Sequence, residues 1–322
     1  MTAKSCTQPL LKHMATKVDL HSARAAFLDH LRIERGLAEN SLQSYGRDLT
    51  YFLEFLDARN LDQEKVVAQT LIDFEVWLGD RSLALSSINR TNSAVKSFLI
   101  YCAREYSINL PTGEITSHKV ARKLPKALTV EEVSALIDSA RSLSDVTSLR
   151  DVALVELLYS TGGRVSEIIG INVSDLAKVE SDNEVIQTIK LRGKGSKERI
   201  VPIGSFALAA LDDYLVRVRP ALVAKSGKNE SALFLNSRGG RLSRQSAWNI
   251  VLACAQACGL EGKVSPHVFR HSYATHLLDG GADIRVVQEL LGHSSVTTTQ
   301  IYTLVTIDKI RQSYSSAHPR AR

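Results

Sequence analysis

Six side chains between residues 164 and 302 are of the types that a reaction at a phosphate diester requires. Such a reaction needs fixed cations for the charge that spreads over the phosphate oxygens, a proton donor for the departing oxygen, and a nucleophile. The chain offers two arginines, a lysine, two histidines and a tyrosine: Arg164, Lys194, His267, Arg270, His293 and Tyr302. They predict attack by a protein side chain on a phosphate diester, with no metal and no other cofactor.

Three of these residues suit the stabilisation of a charged phosphate. Arg164 and Arg270 stay protonated at any working pH, and a planar guanidinium can donate to two phosphate oxygens at once. Each such donor accelerates the reaction by a factor on the order of 10²–10³. Gly292 is predicted to end a helix, so His293 would leave that helix at a fixed point and act as a third donor.

The remaining three residues suit the transfer of protons and of the phosphoryl group. Tyr302 is the candidate nucleophile, and its hydroxyl, with an ordinary pKa of about 10, needs an acceptor or cationic surroundings. His267 is the candidate acceptor. Lys194 lies between two glycines in a predicted hairpin turn, between the strand-like segments 186–191 and 199–203, and is placed to protonate the departing 5′ oxygen.

Each residue has a more common explanation when it is considered alone. A tyrosine near the end of a helix usually packs in a core or an interface, and single arginines usually form surface ion pairs. Gly193-Lys194 resembles the end of a nucleotide-binding loop, but Gly195 stands where that loop needs Ser or Thr. His267 and His271 have the spacing of a helical metal pair, but the zincin glutamate is missing. Only the combination of six residues predicts the chemistry.

Five of the six residues lie in four short blocks of sequence, TGGRVSE at 161–167, GKGSKER at 193–199, SPHVFRH at 265–271 and LLGH at 290–293, and the sixth, Tyr302, follows the last block. In this order the blocks resemble those of the tyrosine recombinases, the phage integrase family, and in particular the XerC/XerD type. The resemblance covers nearly the whole chain. It implies that the six residues are the catalytic set and that Glu167 orients the surroundings of the first arginine.

The resemblance also implies an activity and its partners. We expect a site-specific recombinase that cuts and rejoins DNA through a covalent 3′-phosphotyrosine and a four-way junction, needing neither ATP nor a metal. The expected role is resolution of chromosome dimers at a dif-like site during chromosome segregation and cell division. The expected partners are duplex DNA with a paired site, a homologous second recombinase in a heterotetramer or a homotetramer, and a DNA translocase of the FtsK type.

Three other functions remain open. A mobile-element integrase would share the chemistry, but such enzymes commonly carry an additional N-terminal domain, and few residues precede the first predicted helix here. A topoisomerase of the same chemistry would relax supercoiled DNA without a recombination site. A catalytically silent DNA-binding accessory protein would not need all six residues.

The predicted elements divide the chain into two parts. Apolar residues recur with helical spacing in four segments of 18–110, which predicts a small helical domain. By resemblance, this is the core-binding domain of the SAM-like type. A basic linker with Pro and Gly follows at 111–126, and 1–17 are predicted to be disordered. Thr129 and Glu132 then form a capping-box signature at the start of a mostly helical catalytic domain, 127–322, with a small β-hairpin. By resemblance, this mainly α fold closes round DNA as a C-shaped clamp.

Four residues are candidates for contact with DNA. Arg90 and Lys96 lie on one predicted helix of the first part, and the resemblance implies that this helix faces the DNA groove. Arg244 and Gln245 match the start of the family's second DNA-facing helix, and these residue types read guanine and adenine respectively. A solvated, charged helix face is the alternative for each of them.

Composition is compatible with a DNA enzyme inside the cell. The 322 residues carry a formal net charge of +6, which favours a polyanion as partner without requiring one. The four cysteines, Cys6, Cys102, Cys254 and Cys258, form no disulfide framework, and Cys254 and Cys258 lie in an apolar run that predicts packing. No sustained apolar core marks a secretory signal or a membrane span. We therefore expect a cytoplasmic location.

The segment after Tyr302 predicts a short amphipathic helix. Ile307, Ile310 and Tyr314 lie three to four residues apart, and a helix this small must bury such a face against another surface. By resemblance we expect it to dock on a neighbouring protomer, with docking on its own domain as the alternative.

Two positions depart from the family pattern: Leu304 replaces a common His, and Gly163 replaces a larger apolar residue.

Overall fold

The computed structural model describes residues 18–111, 126–142, 147–181, 184–193, 197–227, 230–292 and 304–321. The chain divides into two compact units, Met1–Lys123 and Leu124–Arg322. Each unit has its own hydrophobic core. The described residues are mainly helical with one small antiparallel sheet, which confirms the predicted fold class.

The first unit contains the four helices that the apolar spacing predicted, named α1 to α4: Leu20–Ile33, Glu39–Ala58, Ala68–Asp80 and Leu85–Glu105. Asp19 caps α1 by accepting from the backbone N–H groups of His21 and Ser22. Aromatic rings fill the core, where Phe27 packs on Phe98 and Phe52 packs on Phe74. The recurrent apolar positions therefore form a single interior.

The second unit is built round one buried helix. Its elements are α5 Val130–Ser142, α6 Ser148–Thr161, α7 Val165–Ile169, β1 Leu176–Ser181, β2 Glu184–Arg192, β3 Glu198–Pro202, α8 Ser205–Arg217, α9 Arg219–Ser226, α10 Arg244–Ala257, α11 Pro266–Asp279, α12 Ile284–Leu291 and α13 Leu304–Ala317. Every residue of α6 from Arg150 to Thr161 is buried. Because α5, α8 and α11 all pack on α6, this helix fixes the positions of the others.

Several local predictions are confirmed. Thr129 and Glu132 exchange the two hydrogen bonds of a capping box at the start of α5. The strands β2 and β3 pair as an antiparallel hairpin, with Lys190 opposite Ile200, and β1 completes the sheet. Gly292 ends α12 in the left-handed conformation, with φ of 66°.

In this single chain the C-terminal helix packs on its own unit, which was the stated alternative to docking on a neighbouring protomer. Ile310 and Tyr314 of α13 are buried against their own unit, and the Tyr314 hydroxyl lies 2.8 Å from Ser160 Oγ on α6. Arg320, beyond the helix, pairs with the buried Glu156, also on α6. The side chain of Ile307 lies outside the described residues. The amphipathic face was predicted correctly for Ile310 and Tyr314, and the helix packs on α11 and α12 of its own unit, with Tyr314 also bonded to α6.

Candidate active site

The turn between α6 and α7 brings the first arginine to the surface. Gly162 ends α6 with φ of 58°, a left-handed conformation that glycine adopts without strain. A Cβ atom at this position would overlap the ring of Tyr273 on α11. A Cβ on Gly163 would lie 2.7 Å from Cδ1 of Ile168, so this departure from the family pattern matches the space available. The chain therefore turns sharply and α7 begins directly after Arg164.

Glu167 is the centre of the hydrogen-bonded cluster at this turn. It is only 5% exposed. Its Oε1 accepts from Nη1 of Arg164 at 2.8 Å, and its Oε2 accepts from the Arg164 backbone N–H at 2.8 Å. Arg199 on β3 donates Nη1 to Oε1 at 3.1 Å and Nη2 to Oε2 at 2.7 Å. Burial alone would raise the pKa of Glu167, but the bonds and charges of the two arginines outweigh it and lower the pKa.

Arg270 comes to the same place from α11. Ser265 caps this helix and Pro266 occupies its first turn, so the position of Arg270 on the helix is well fixed. Arg270 donates Nη1 to the carbonyl of Gly162 at 3.2 Å and Nη2 to the carbonyl of Leu291. Burial, with the nearby charges of Arg164 and Arg199, lowers the pKa of Arg270 to about 10, so the group is still protonated at neutral pH.

The three arginines and Glu167 form what we call the guanidinium cluster: Arg164, Arg199, Arg270 and Glu167. Three positive charges face one negative charge in it. Since like charges repel when they are partly desolvated, this excess is costly unless an anion binds there. The cluster can therefore hold an anionic group such as a phosphate.

The other predicted catalytic residues are distributed as follows. His267 is exposed on the first turn of α11, one helical turn before Arg270 and so on a similar face. Lys194, His293 and Tyr302 lie outside the described residues. Their described neighbours are Gly193, whose N–H donates to the Lys197 carbonyl at 2.7 Å, Gly292 at the end of α12, and Leu304 at the start of α13.

Sequence reasoning missed Arg199. The residue is 5% exposed, and its strand β3 alternates between exposed and buried positions, with Arg199 and Val201 on the inner face. An arginine at an inward position of a strand was the available signal, because such a charge is almost never buried without a partner.

The four candidates for DNA contact are on the surface of their units. Arg90 on α4 donates Nε and Nη2 to the carboxylate of Asp48 on α2, each at 2.9 Å. Asp48 is 1% exposed and also accepts from Thr91. Lys96 is half-buried on the same helix as Arg90. In the second unit, Arg244 and Gln245 are exposed at the start of α10, which Ser243 caps.

Histidine, cysteine and carboxylate side chains are dispersed over the residues that the structure describes. No group of three or more His, Cys, Asp or Glu residues in those ranges could hold a metal ion. Cys254 is fully buried, and burial raises the pKa of its thiol to about 11, whereas a metal ligand would need the thiolate. Within the same ranges, no helix is long and apolar enough to cross a membrane.

Two family models match the chain. The model described as the phage integrase family matches residues 126–308, and the model described as the phage integrase N-terminal SAM-like domain matches residues 25–106. The residues of the guanidinium cluster all lie within the first of these matches.

The chain is also similar to individual proteins. It is 46% identical to the tyrosine recombinase XerD of Mycobacterium tuberculosis strain H37Rv, over 92% of this chain and 97% of that protein. It is 44% identical to the XerD of Corynebacterium glutamicum, with the same coverage of both chains. Its fold is similar to that of XerH recombinase bound to a palindromic difH substrate, with a TM-score of 0.66 and 23% identity over 91% of this chain and 84% of that one. A lambda integrase tetramer bound to a Holliday junction has a TM-score of 0.63 and 19% identity, over 88% and 76% of the two chains.

Proposed function

The chain belongs to the phage integrase family of tyrosine recombinases, enzymes that break and rejoin DNA, and from this membership we propose that it cuts DNA through a covalent 3′-phosphotyrosine on Tyr302. The observation that carries the proposal is the guanidinium cluster, in which Arg164 and Arg270 come from distant parts of the chain to one place with an excess of positive charge. That excess is what the scissile phosphate would neutralise.

In this proposal the arginines bind the phosphate and the neighbouring residues move protons. Arg164 and Arg270 donate to the non-bridging oxygens, whose charge grows as the tyrosine attacks. His293 is a third donor, and His267 accepts the proton of the Tyr302 hydroxyl. Lys194 gives a proton to the departing 5′ oxygen. The energy of the broken bond is kept in the phosphotyrosine link, so rejoining needs no ATP.

We assign DNA binding to both parts of the chain: a core-binding domain at 18–110 and a catalytic domain at 127–322, joined by the linker 111–126. Arg90 is the candidate in the first with the best geometric support. Asp48 holds it by the Nε and Nη2 side, which leaves the edge formed by Nη1 and Nη2 for a guanine or a phosphate. Arg244 and Gln245 are candidates for base contact from α10, and Lys96 for phosphate contact.

The proposed biological role is recombination at a dif-like site in the resolution of chromosome dimers, during chromosome partition and cell division in the cytoplasm. The names of the XerD relatives support this role, and the structurally similar XerH is bound to difH. The partners would be a paired DNA site, a second recombinase in a tetramer and a translocase of the FtsK type.

A nicked duplex tests the proposed chemistry. A dif-like duplex with a nick just 3′ of the scissile phosphate releases a short fragment after cleavage, which traps the covalent protein–DNA adduct. We expect an adduct with the unmodified protein and none with Tyr302→Phe, which should bind the duplex within about 0.5 kcal/mol of the unmodified protein because only one hydroxyl is lost. An adduct with Tyr302→Phe would show that another residue is the nucleophile.

A further inference from the structure

Arg199 is buried like a core residue, although its guanidinium is charged. Its side chain is 6% exposed, in a strand of the small sheet. A guanidinium in this position is costly to desolvate, so it is retained only where its partners are well placed. Nothing in the proposed chemistry assigns a role to it.

All three guanidinium nitrogens of Arg199 are engaged. Nη1 and Nη2 donate to the two carboxylate oxygens of Glu167, and Nε donates to the carbonyl of Leu290 at 2.8 Å. Glu167 belongs to α7, and Leu290 lies in the last turn of α12. One side chain on β3 therefore ties two helices to the sheet.

Through these contacts Arg199 is connected to Arg164 and to the end of α12, where Arg270 also binds. Glu167 uses its remaining bonds to hold both the side chain and the backbone N–H of Arg164. Arg199 and Arg270 donate to consecutive carbonyls, those of Leu290 and Leu291, where α12 ends. The two arginines therefore fix the position of the last turn of α12.

Two glycines show how closely the backbone approaches this ion pair. A Cβ atom on Gly193 would lie 3.3 Å from Oε1 of Glu167, and a Cβ atom on Gly292 would lie 3.2 Å from Cδ of Arg199. Both distances are tighter than ordinary contacts. The end of β2 and the end of α12 are thus both packed directly on the pair formed by Arg199 and Glu167.

We propose that Arg199 is a positioning residue for DNA cleavage. It does not touch the phosphate, because it is buried and its nitrogens are engaged. It orients Glu167, which in turn orients Arg164, whose side chain is 49% exposed and able to meet the phosphate. It also fixes the end of α12 relative to Arg164. This inference rests on the proposed function, in which Arg164 binds the scissile phosphate.

The test compares Arg199 with a matched arginine elsewhere in the second unit. Arg150 is also buried, with a side chain 8% exposed, and it also binds a carboxylate, that of Asp151, and a carbonyl, that of Leu235 at 3.1 Å. None of these partners belongs to the guanidinium cluster. Arg199→Lys and Arg150→Lys each keep the charge and lose the planar fork, so their effects on folding should be similar.

The measurement is the rate of adduct formation at saturating DNA on the nicked duplex, with the dissociation constant and urea unfolding measured beside it. We expect Arg199→Lys to slow adduct formation by on the order of 10²-fold with little change in DNA affinity, since a displaced catalytic group has an effect of this size. Arg150→Lys should lose stability and keep its rate. If Arg199→Met also folds, its rate should be lower still.

Two further readouts separate positioning from a general loss of structure. A methylphosphonate at the scissile position removes the charge that the arginines neutralise, so the Arg199→Lys defect should be smaller on that substrate. In a double-mutant cycle, Glu167→Gln and Arg199→Lys should be strongly non-additive in rate, because both act through Arg164.

Several results would overturn the inference. They are an unchanged rate for Arg199→Lys, an equal loss of rate for Arg150→Lys, an equal defect on both substrates, and additive effects in the cycle. A failure of the proposed function itself looks different. In that case the unmodified protein forms no adduct with any duplex, and there is no rate for Arg199 to change.

Discussion

Each of the two compact units contains a buried carboxylate that holds a partly exposed arginine. In the first unit Asp48, with its side chain 2% exposed, binds Arg90, which is 56% exposed. In the second unit Glu167, which is also buried, binds Arg164, which is also half-exposed. The local arrangement is similar, yet the two differ in net charge.

The difference lies in the number of cations round each acid. Asp48 accepts from one arginine and from the hydroxyl of Thr91, so its pair is formally neutral. Glu167 is shared by Arg164 and Arg199, and Arg270 adds a third positive charge. A neutral pair offers donors in a fixed direction, which suits recognition of DNA, whereas a positive cluster suits the charge that develops during cleavage.

The rate of adduct formation should depend strongly on Arg164 and not on Arg90, and this is the largest difference that we expect between the two units. Arg164→Ala should reduce the rate of adduct formation at saturating DNA by on the order of 10²–10³, because one donor to the phosphate is lost. Arg90→Ala should leave that rate unchanged. A comparable loss of rate in Arg90→Ala would mean that the first unit also contributes to the chemical step.

A smaller effect, on DNA affinity, is expected for Arg90 and would show what this arginine contacts. Arg90→Lys keeps the charge but loses the fork, so binding to the recombination site should weaken by about 1–3 kcal/mol if the arginine reads a guanine. Replacing single guanines of the site by 7-deazaguanine should identify one base whose change costs the unmodified protein affinity and the variant nothing. If no base behaves in this way, Arg90 contacts a phosphate instead.

Helix starts and helix ends were predictable from the sequence, whereas the hydrogen bonds that hold the candidate site together were not. The capping box at Thr129 and the left-handed Gly292 were predictable because each depends on a few adjacent residues. Asp48 and Arg199 were not predicted, although each is a charge among inward-facing residues. Their partners lie on other elements, at distances along the chain that no local pattern shows.

The C-terminal helix shows the same limit. Its apolar face was visible in the spacing of Ile310 and Tyr314, but a pattern of this kind says nothing about the surface that accepts it. The face packs on α11 and α12, and the Tyr314 hydroxyl also meets Ser160 of α6. Because α6 is buried on all sides, it has no amphipathic pattern of its own.

The smallest expected effect concerns pH and separates two buried glutamates of the second unit. Arg199 and Arg164 lower the pKa of Glu167 below its usual 4.5 against the opposing effect of burial, whereas burial raises that of Glu156 despite the bond from Arg320. The stabilising effect of Glu167 is present above pH 4.5 and is lost as the pH falls through its lowered pKa. Glu156 does the reverse: its contribution is present below pH 4.5 and is lost as the pH rises through its raised pKa.

Urea unfolding of the second unit between pH 3.5 and 7 checks these signs. The chain has two tryptophans, Trp77 in the first unit and Trp248 in the second, so Trp77→Phe leaves fluorescence that reports the second unit. In that background Glu167→Gln should flatten the rise of stability with pH on the acid side. Glu156→Gln should flatten the fall above pH 4.5. Opposite slopes would contradict the assigned pKa directions.

The most direct test of the division between the two units exchanges each buried acid for its amide. Asp48→Asn and Glu167→Gln keep the shape of the side chain and remove its charge. Both are measured for the dissociation constant of the recombination site and for the rate of adduct formation at saturating DNA. The comparison predicts weaker binding with an unchanged rate for Asp48→Asn, and a slower rate with no weaker binding for Glu167→Gln. The same pattern in both variants would contradict it.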